Sequence, residues 1–411
     1  MSTELHHAPG TDAAFTLLLN PEARSDGNWS PVQDAILSDA GLAAARATIS
    51  GWPGYAPTPL HALPARAADL GVAALHYKDE GGRFGLGSFK ALGGAYAVAR
   101  LLQSELGKRL GRPVSMEEIT SRAIPQAREI TVCCATDGNH GRSVAWGAQS
   151  FGCNCVIFIH ATVSDGRKTA IEAYGAEVRR CAGNYDDSVR EAQETATREG
   201  WFVVSDTSYP GYMEVPKDVM QGYEVMAAEA FDALDQPPTH VFLQTGVGGM
   251  AAAVAAQAVR RWGAARPRIV LCDPDQSACW LDSLRAGEPV AVEGDLDTLM
   301  AGLACGEVSA LAWEILKDHA DAVMALTDAA AVAEMRRLAH PLPGDPPIVA
   351  GESAVAGLTG LAAAMTVPEA RAALELDETS RVVVFGTEGD TDPALYEELV
   401  GMSAGAVRAQ A

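Results

Sequence analysis

The sequence predicts an α/β protein of two domains, built on mostly parallel sheets flanked by helices. Three observations carry that expectation. Short runs rich in Val and Ile alternate with alanine-rich helical stretches along most of the chain. Those runs lack the polar alternation of a half-exposed strand, so both faces are buried, as in a parallel sheet with helical crossovers. At 411 residues the chain also exceeds the ~250–300 at which a single core stops growing.

The expected strands are Glu129–Thr136 (EITVCCAT), Asn154–His160 (NCVIFIH), Glu177–Gly183 (EVRRCAG) and Trp201–Asp206 (WFVVSD). Thr239–Gly246 (THVFLQTG), Arg268–Pro274 (RIVLCDP) and Ser380–Gly389 (SRVVVFGTEG) follow. The apolar run after Lys90 (Ala91, Leu92, Ala95, Tyr96, Ala97, Val98) predicts a buried helix with a glycine pair near its start. Leu106–Arg128 is more polar and predicts a surface insertion before the first of those strands. His340–Ser353, rich in Pro and Gly, predicts a long ordered loop beside a site. No repeat of fixed period and no low-complexity linker interrupts the pattern.

Composition narrows the function. Hydrophobic residues make up 48% and charged residues 20%, a globular balance. A net charge of -22 argues against nucleic acid and anionic membrane as partners. The N-terminal stretch MSTELHHAPGTDAAF has no basic segment followed by an apolar one, and runs such as Gly249–Val259 are too short and alanine-rich for a membrane span. The eight cysteines are scattered and several fall in strands, which predicts reduced core thiols and a cytoplasmic location. Cys153 and Cys155 have no second pair at zinc spacing, so no metal site is expected.

Lys90 is the first chemical anomaly. It sits in GRFGLGSFKALGGAYAV, among glycines, alanines and aromatics, where no other lysine of the chain has a comparable apolar setting. Such surroundings lower an amine toward nucleophilic range. Three loops then occupy the position where open α/β sheets bind ligands, just past a strand. QTGVGGMAAAV (Gln244–Val254) runs from strand through glycines into helix, so its N–H groups can cradle a phosphate. Gly246, Gly248 and Ala251, with Asp273 ending the next strand, also fit a loose dinucleotide fingerprint, and a plain tight turn fits too. CATDGNHGRSVAW (Cys134–Trp146) offers Asp137, Asn139 and His140 within four residues; VVVFGTEGDTDPALY (Val382–Tyr396) places Thr387 and Glu388 after a buried strand. No serine elbow, P-loop lysine or zinc helix is present. A lone amine, a phosphate cradle and a polar loop with an acid together describe pyridoxal phosphate chemistry.

GSFKALGG, TDGNHG, TGVGG and GTEG occur in an order and spacing that resemble the tryptophan-synthase-β-like, fold type II pyridoxal phosphate enzymes, and TPL at Thr58–Leu60 matches the opening of that domain. The resemblance covers the chain from Tyr55 onward. It implies a cofactor held between two domains, the larger from residues 1–90 and 207–411, the smaller from 91–206. By the same resemblance Lys90 forms the Schiff base, Phe89 and Asn139 contact the cofactor (Asn139 at the ring hydroxyl), and Gly246, Val247, Gly248 and Gly249 hold the phosphate. Thr387 meets the ring nitrogen. A hydroxyl there favours β-elimination or replacement over transamination, because the nitrogen need not stay protonated. Thr136, Asp137, Gly138 and His140 form the loop that receives the substrate carboxylate.

Within these enzymes the chain is most similar to the diaminopropionate ammonia-lyases, through GRFGLGSFKALGG, ATDGNHGRSVAWGA, SDTSYPGYMEVPKDVMQGY, TLMAGLACGE and TEGDTDP. That implies a homodimer acting on a small amino acid, with Lys90, Asp137 and Asp206 as catalytic groups. Gly87-Ser88 ahead of Phe89-Lys90 and Gly249-Met250 at the end of the glycine loop depart from the pattern. The charges agree with a diamine. Asp137 inside a carboxylate-receiving loop is unfavourable if unpaired, but favourable against a substrate's second ammonium, and Asp206 adds to that field. A helix cap is the competing role for Asp137. A serine, threonine or hydroxyaspartate dehydratase, a β-replacement synthase and, more distantly, a nicotinamide dehydrogenase are the alternatives.

Overall fold

The computed structural model describes residues 4–7, 14–136, 138–183 and 185–410. Its strands, in chain order, are β1 (Glu4–His7), β2 (Phe15–Leu19), β3 (Leu60–Ala62), β4 (Ala74–Asp79), β5 (Thr131–Ala135) and β6 (Asn154–Ile159). Then come β7 (Glu177–Arg180), β8 (Phe202–Val203), β9 (His240–Gln244), β10 (Arg268–Pro274), β11 (Ala322–Leu326) and β12 (Arg381–Gly386). All seven expected strands are present, one at its expected length and the others one to four residues shorter. The Trp201–Asp206 run shrinks most, because Val204 N makes the last ladder bond, to Cys133 O, before the chain turns away. β11 (AVMAL) escaped the sequence reading because Ala, Met and Leu are helix formers; burial of every residue in it decides for strand.

Contacts divide the chain into two compact units. One comprises Met1–Ile36, Pro57–Gly82 and Ala227–Ala411. Its sheet runs β1-β2-β11-β10-β9-β12-β4-β3. The centre, β11 to β4, is parallel, while β1, β2 and β3 pair antiparallel at the edges. The sheet order reverses its sequence direction at β9 and β12, so the glycine loop after β9 and the Thr387 loop after β12 leave adjacent strand ends. This is the switch point at which α/β sheets bind ligands.

The other unit comprises Leu37–Ala56 and Arg83–Met226, with an all-parallel sheet β7-β6-β5-β8. Here the loops after β5 and β8 are neighbours. The helix Lys90–Leu110 begins at the lysine and ends at Gly111, whose positive φ of 64° stops it. Its glycine pair is explained by two partners. Gly93 lies against the helix Glu214–Asp232, where an added Cβ would come within 2.7 Å of Val219 O; Gly94 faces Ser143 on the helix Asn139–Phe151. Gly222 answers Gly93 from the other side.

The polar segment Leu106–Arg128 is not a loose insertion. Residues 106–110 complete the Lys90 helix, and Met116–Thr120 forms a short helix with a capping box between Ser115 and Glu118. Leu106, Val114, Ile119, Ile124 and Ala127 are buried. No helix of the described residues is long and apolar enough to cross a membrane.

The helix contacts yield a test. A Cβ at Gly222 would meet backbone, with Leu92 C at 2.8 Å and Gly93 Cα at 2.9 Å, so nothing flexible can yield. Gly222→Ala is expected to destabilise the protein by about 1–3 kcal/mol, read as a lower denaturant midpoint at unchanged slope.

Candidate active site

In the second unit, β8 ends and the chain turns through Ser205–Tyr212. Tyr212 ties this turn down, its hydroxyl donating to Val203 O at 2.9 Å and accepting from Ser205 N at 3.0 Å. Asp206 is thereby fixed, and its carboxylate ion-pairs with the Lys90 ammonium. The setting of Lys90 is thus charged as well as apolar. Phe89 and Tyr223 pack at 4.6 Å between centroids with their planes tilted by 49°, and Lys90 Nζ lies 5.4 Å from the first ring and 5.9 Å from the second. The two ionic side chains keep 19% and 18% exposure, so the amine is enclosed but reachable.

Burial alone would raise the Asp206 carboxyl. The Lys90 ammonium outweighs it and holds the group well below the usual carboxylate range. His140 Nε2 lies 2.8 Å from Val204 O, which can only accept, so that nitrogen carries the proton. Nδ1 points its lone pair toward Asp206, 3.8 Å away. Burial lowers the imidazole, more than Asp206 raises it, and favours this neutral form.

Thr136 is a capping residue. Its Oγ1 accepts from Gly138 N at 3.0 Å and Gly141 N at 3.1 Å, closing the start of the Asn139–Phe151 helix, whose N-cap is the side-chain-free Gly138. Asn139 is the first residue of that helix. Asp137 lies outside the described residues.

In the first unit, the loop Thr245–Gly249 leads from β9 into the helix Gly249–Trp262. Gly248 caps that helix with φ of 95° and no side chain, leaving the first N–H groups without a side-chain acceptor. A Cβ at Gly248 would strike the Trp280 indole. Trp280 Nε1 also donates to Gly246 O at 3.0 Å, and Ser309 N to Val247 O at 2.9 Å, so the loop is held from behind. These features fit a phosphate: free N–H donors, a positive helix end and a glycine whose side-chain space is already taken. Thr387, after β12, is buried and accepts a hydrogen bond from Gln244 Nε2 at 2.7 Å. Beside it Glu388 Oε1 accepts from Ser353 N at 3.1 Å, which anchors the Pro/Gly-rich loop His340–Ser353.

A Pyridoxal-phosphate dependent enzyme family model matches residues 52–388. Diaminopropionate ammonia-lyase of Escherichia coli K12 is 41% identical over 353 residues, 84% of this chain and 88% of that one. The chain belongs to the diaminopropionate ammonia-lyase family. Two crystal structures of the Escherichia coli enzyme, each 38% identical, align closely. One, in complex with an aminoacrylate-PLP azomethine reaction intermediate, covers 94% of this chain and 96% of its own at a TM-score of 0.83. The other, in complex with D-serine, covers 96% and 98% at 0.86. The fold is therefore that of the fold type II pyridoxal phosphate enzymes, as the motifs implied.

The structure also corrects and extends the sequence reading. Lys90 is not alone in a buried setting: Lys78 is 1% exposed, with its Nζ 2.7 Å from Glu229 Oε2 and 2.8 Å from Thr58 O. Its alternating strand, ALHYKD, disguised it as a surface residue. Asp273 is unsuited to a ribose. It is wholly buried and accepts from Trp280 N, Leu281 N and the Thr245 hydroxyl. Tyr223, Trp280 and Gln244 were missed, although a lone glutamine in a strand buried at every residue was a visible signal.

Two tests follow from the glycine loop. Gly248→Asp sets a carboxylate in the glycine loop and drives it into Trp280; with that loop as the phosphate cradle, pyridoxal phosphate should be lost on dialysis. Burial lifts Asp273 to about 7, against the pull of its three donors. The unfolded chain ionises this group from ~4 upward while the folded protein keeps its proton. The cofactor-free protein should lose stability between those two pH values, and Asp273→Asn should remove that part of the decline in pH-dependent urea unfolding.

Proposed function

We propose that the protein is a pyridoxal phosphate-dependent carbon–nitrogen lyase that converts 2,3-diaminopropionate and water to pyruvate and two molecules of ammonia. The observation that carries this reading is the enclosed ion pair of Lys90 with Asp206. Bound pyridoxal phosphate supplies an electron sink for an amino acid joined through its α-amino group. By the family resemblance, Lys90 Nζ would hold the cofactor's aldehyde carbon, Gly246, Val247, Gly248 and Gly249 its phosphate, Asn139 its ring hydroxyl and Thr387 its ring nitrogen.

Once displaced, the Lys90 amine is the base for the Cα proton, with Asp137 serving the opposite enantiomer. Asp206 balances Lys90 while that amine is a free ammonium. When the amine is engaged, the carboxylate is left to a cation of the substrate, which a second amino group provides and serine lacks. Its lowered pKa supports this role, since the group stays anionic throughout the neutral range. Thr136 supplies the helix cap, so Asp137 is not required for capping, and a charge in that loop adds to the preference for a diamine. Thr136, Gly138 and His140 shape the loop that takes the substrate carboxylate. All eight cysteines are free thiols, in keeping with a cytoplasmic enzyme, and we take the working form to be a homodimer.

The test is ammonia and pyruvate release from both enantiomers of 2,3-diaminopropionate, compared with serine, threonine and hydroxyaspartate. The diamine should have the highest kcat/KM. Asp206→Asn should keep the cofactor yet lose about 2–5 kcal/mol of transition-state stabilisation for the diamine, and less for serine. Equal losses on both substrates would reject the charge-pairing role.

A further inference from the structure

We propose that Gln244 is a positioning residue that fixes the direction of the Thr387 hydrogen bond, so that the hydroxyl donates to the cofactor's ring nitrogen and keeps it unprotonated. This deepens the reading above and rests on Thr387 meeting that nitrogen.

The geometry decides which atom of the amide faces Thr387. Gln244 closes β9 and Phe385 lies near the end of its parallel neighbour β12. One amide atom lies 2.6 Å from Phe385 O and 2.7 Å from Thr387 Oγ1. A backbone carbonyl can only accept, so an oxygen there would be repelled and that atom is the nitrogen. With one N–H on Phe385 O, the other is directed at Thr387, with Ala354 O a longer third neighbour at 3.4 Å. The hydroxyl is therefore an acceptor toward Gln244. Its own proton points elsewhere, and no acceptor for it is found among the described residues.

The amide keeps this orientation at some expense: Gln244 Oε1 is buried without a hydrogen-bond partner among the described residues. Turning the amide over would oppose two carbonyl oxygens at Phe385, so the orientation is locked. A hydroxyl locked as donor matches a pyridine nitrogen with its lone pair free. It does not match a pyridinium, which needs an acceptor. An unprotonated ring is the weaker electron sink, and that favours early departure of a β-substituent over proton return to the cofactor's own carbon, the step that ends in transamination.

The experiment uses the holoenzyme loaded with pyridoxal phosphate labelled with nitrogen-15 in the ring. In the parent the ring resonance should lie in the unprotonated range. In Gln244→Met the Thr387 hydroxyl loses the N–H that fixes it as an acceptor and is free to turn. The hydroxyl then presents a lone pair, and the resonance should move into the protonated range. Pyridoxamine phosphate formed per turnover should rise about tenfold, the factor that ~1.4 kcal/mol supplies, which is one hydrogen bond's worth. Gln244→Glu has the same shape, and its one buried proton goes to Phe385 O. It should shift the resonance in the same direction and serves if the Met variant does not fold.

Thr387→Val separates the two levels. If the Val variant shifts the resonance and the Gln244 variants do not, Gln244 is only structural and the proposal falls while Thr387 keeps its role. If none of them shifts it, Thr387 does not meet the ring nitrogen and both readings fall.

Discussion

The Lys90–Asp206 ion pair is the constraint around which its unit is built. An ammonium and a carboxylate with under a fifth of their surface exposed remain ionised only if each is held against the other. Holding them requires that two distant pieces of chain arrive together. The Lys90 helix approaches its neighbours through glycines at Gly93, Gly94 and Gly222, which bring helix axes closer than side chains would allow. The Ser205–Tyr212 turn is tied at both ends by one tyrosine hydroxyl. His140, with its Nε2–H committed to Val204 O, sets its ring beside the pair, Nδ1 3.8 Å from Asp206.

The phosphate loop is organised by the opposite logic. There the backbone carries the free donors that fit a phosphate, and the side chains behind it hold that backbone in place. Trp280 is the clearest case: its ring occupies the space a Cβ at Gly248 would need, while its N–H binds Gly246 O. Asp273 supports Trp280 in turn by accepting from its main-chain N–H and the next. An acid that a motif search offers as a ribose ligand is thus the buried brace of the loop, its ionisation opposed by burial.

What was legible in the sequence follows from how local each signal is. Val- and Ile-rich strands declare themselves, as does a glycine loop between strand and helix. The lysine among apolar residues and the order of four motifs were enough for the family. Long-range pairing was not legible. Nothing near Lys90 in sequence indicates Asp206, 116 residues away, except a motif resemblance. β11 was hidden by its helix-forming composition. Gln244 was passed over because its partners, Phe385 and Thr387, become neighbours only when β12 is laid beside β9.

Two buried lysines show why burial by itself does not make a working amine. Lys78 is the more enclosed, at 1% exposure, yet its ammonium is surrounded by Glu229, the Thr58 carbonyl and, at 3.8 Å, Glu80, whose carboxylate is itself bonded by the Thr58 hydroxyl at 2.5 Å. Such a shell satisfies the cation and keeps its amine from reaching any carbonyl carbon. Opening it would strand two buried carboxylates, at a cost of several kcal/mol. Lys90 keeps a fifth of its side-chain surface, flanking aromatic faces and a carboxylate that can be released to another cation. The difference between a structural and a reactive lysine therefore lies in what its partners can do after it leaves. Removing Lys78 would take a buried ammonium from Glu229 and Glu80, whereas the Lys90–Asp206 pair is part-exposed.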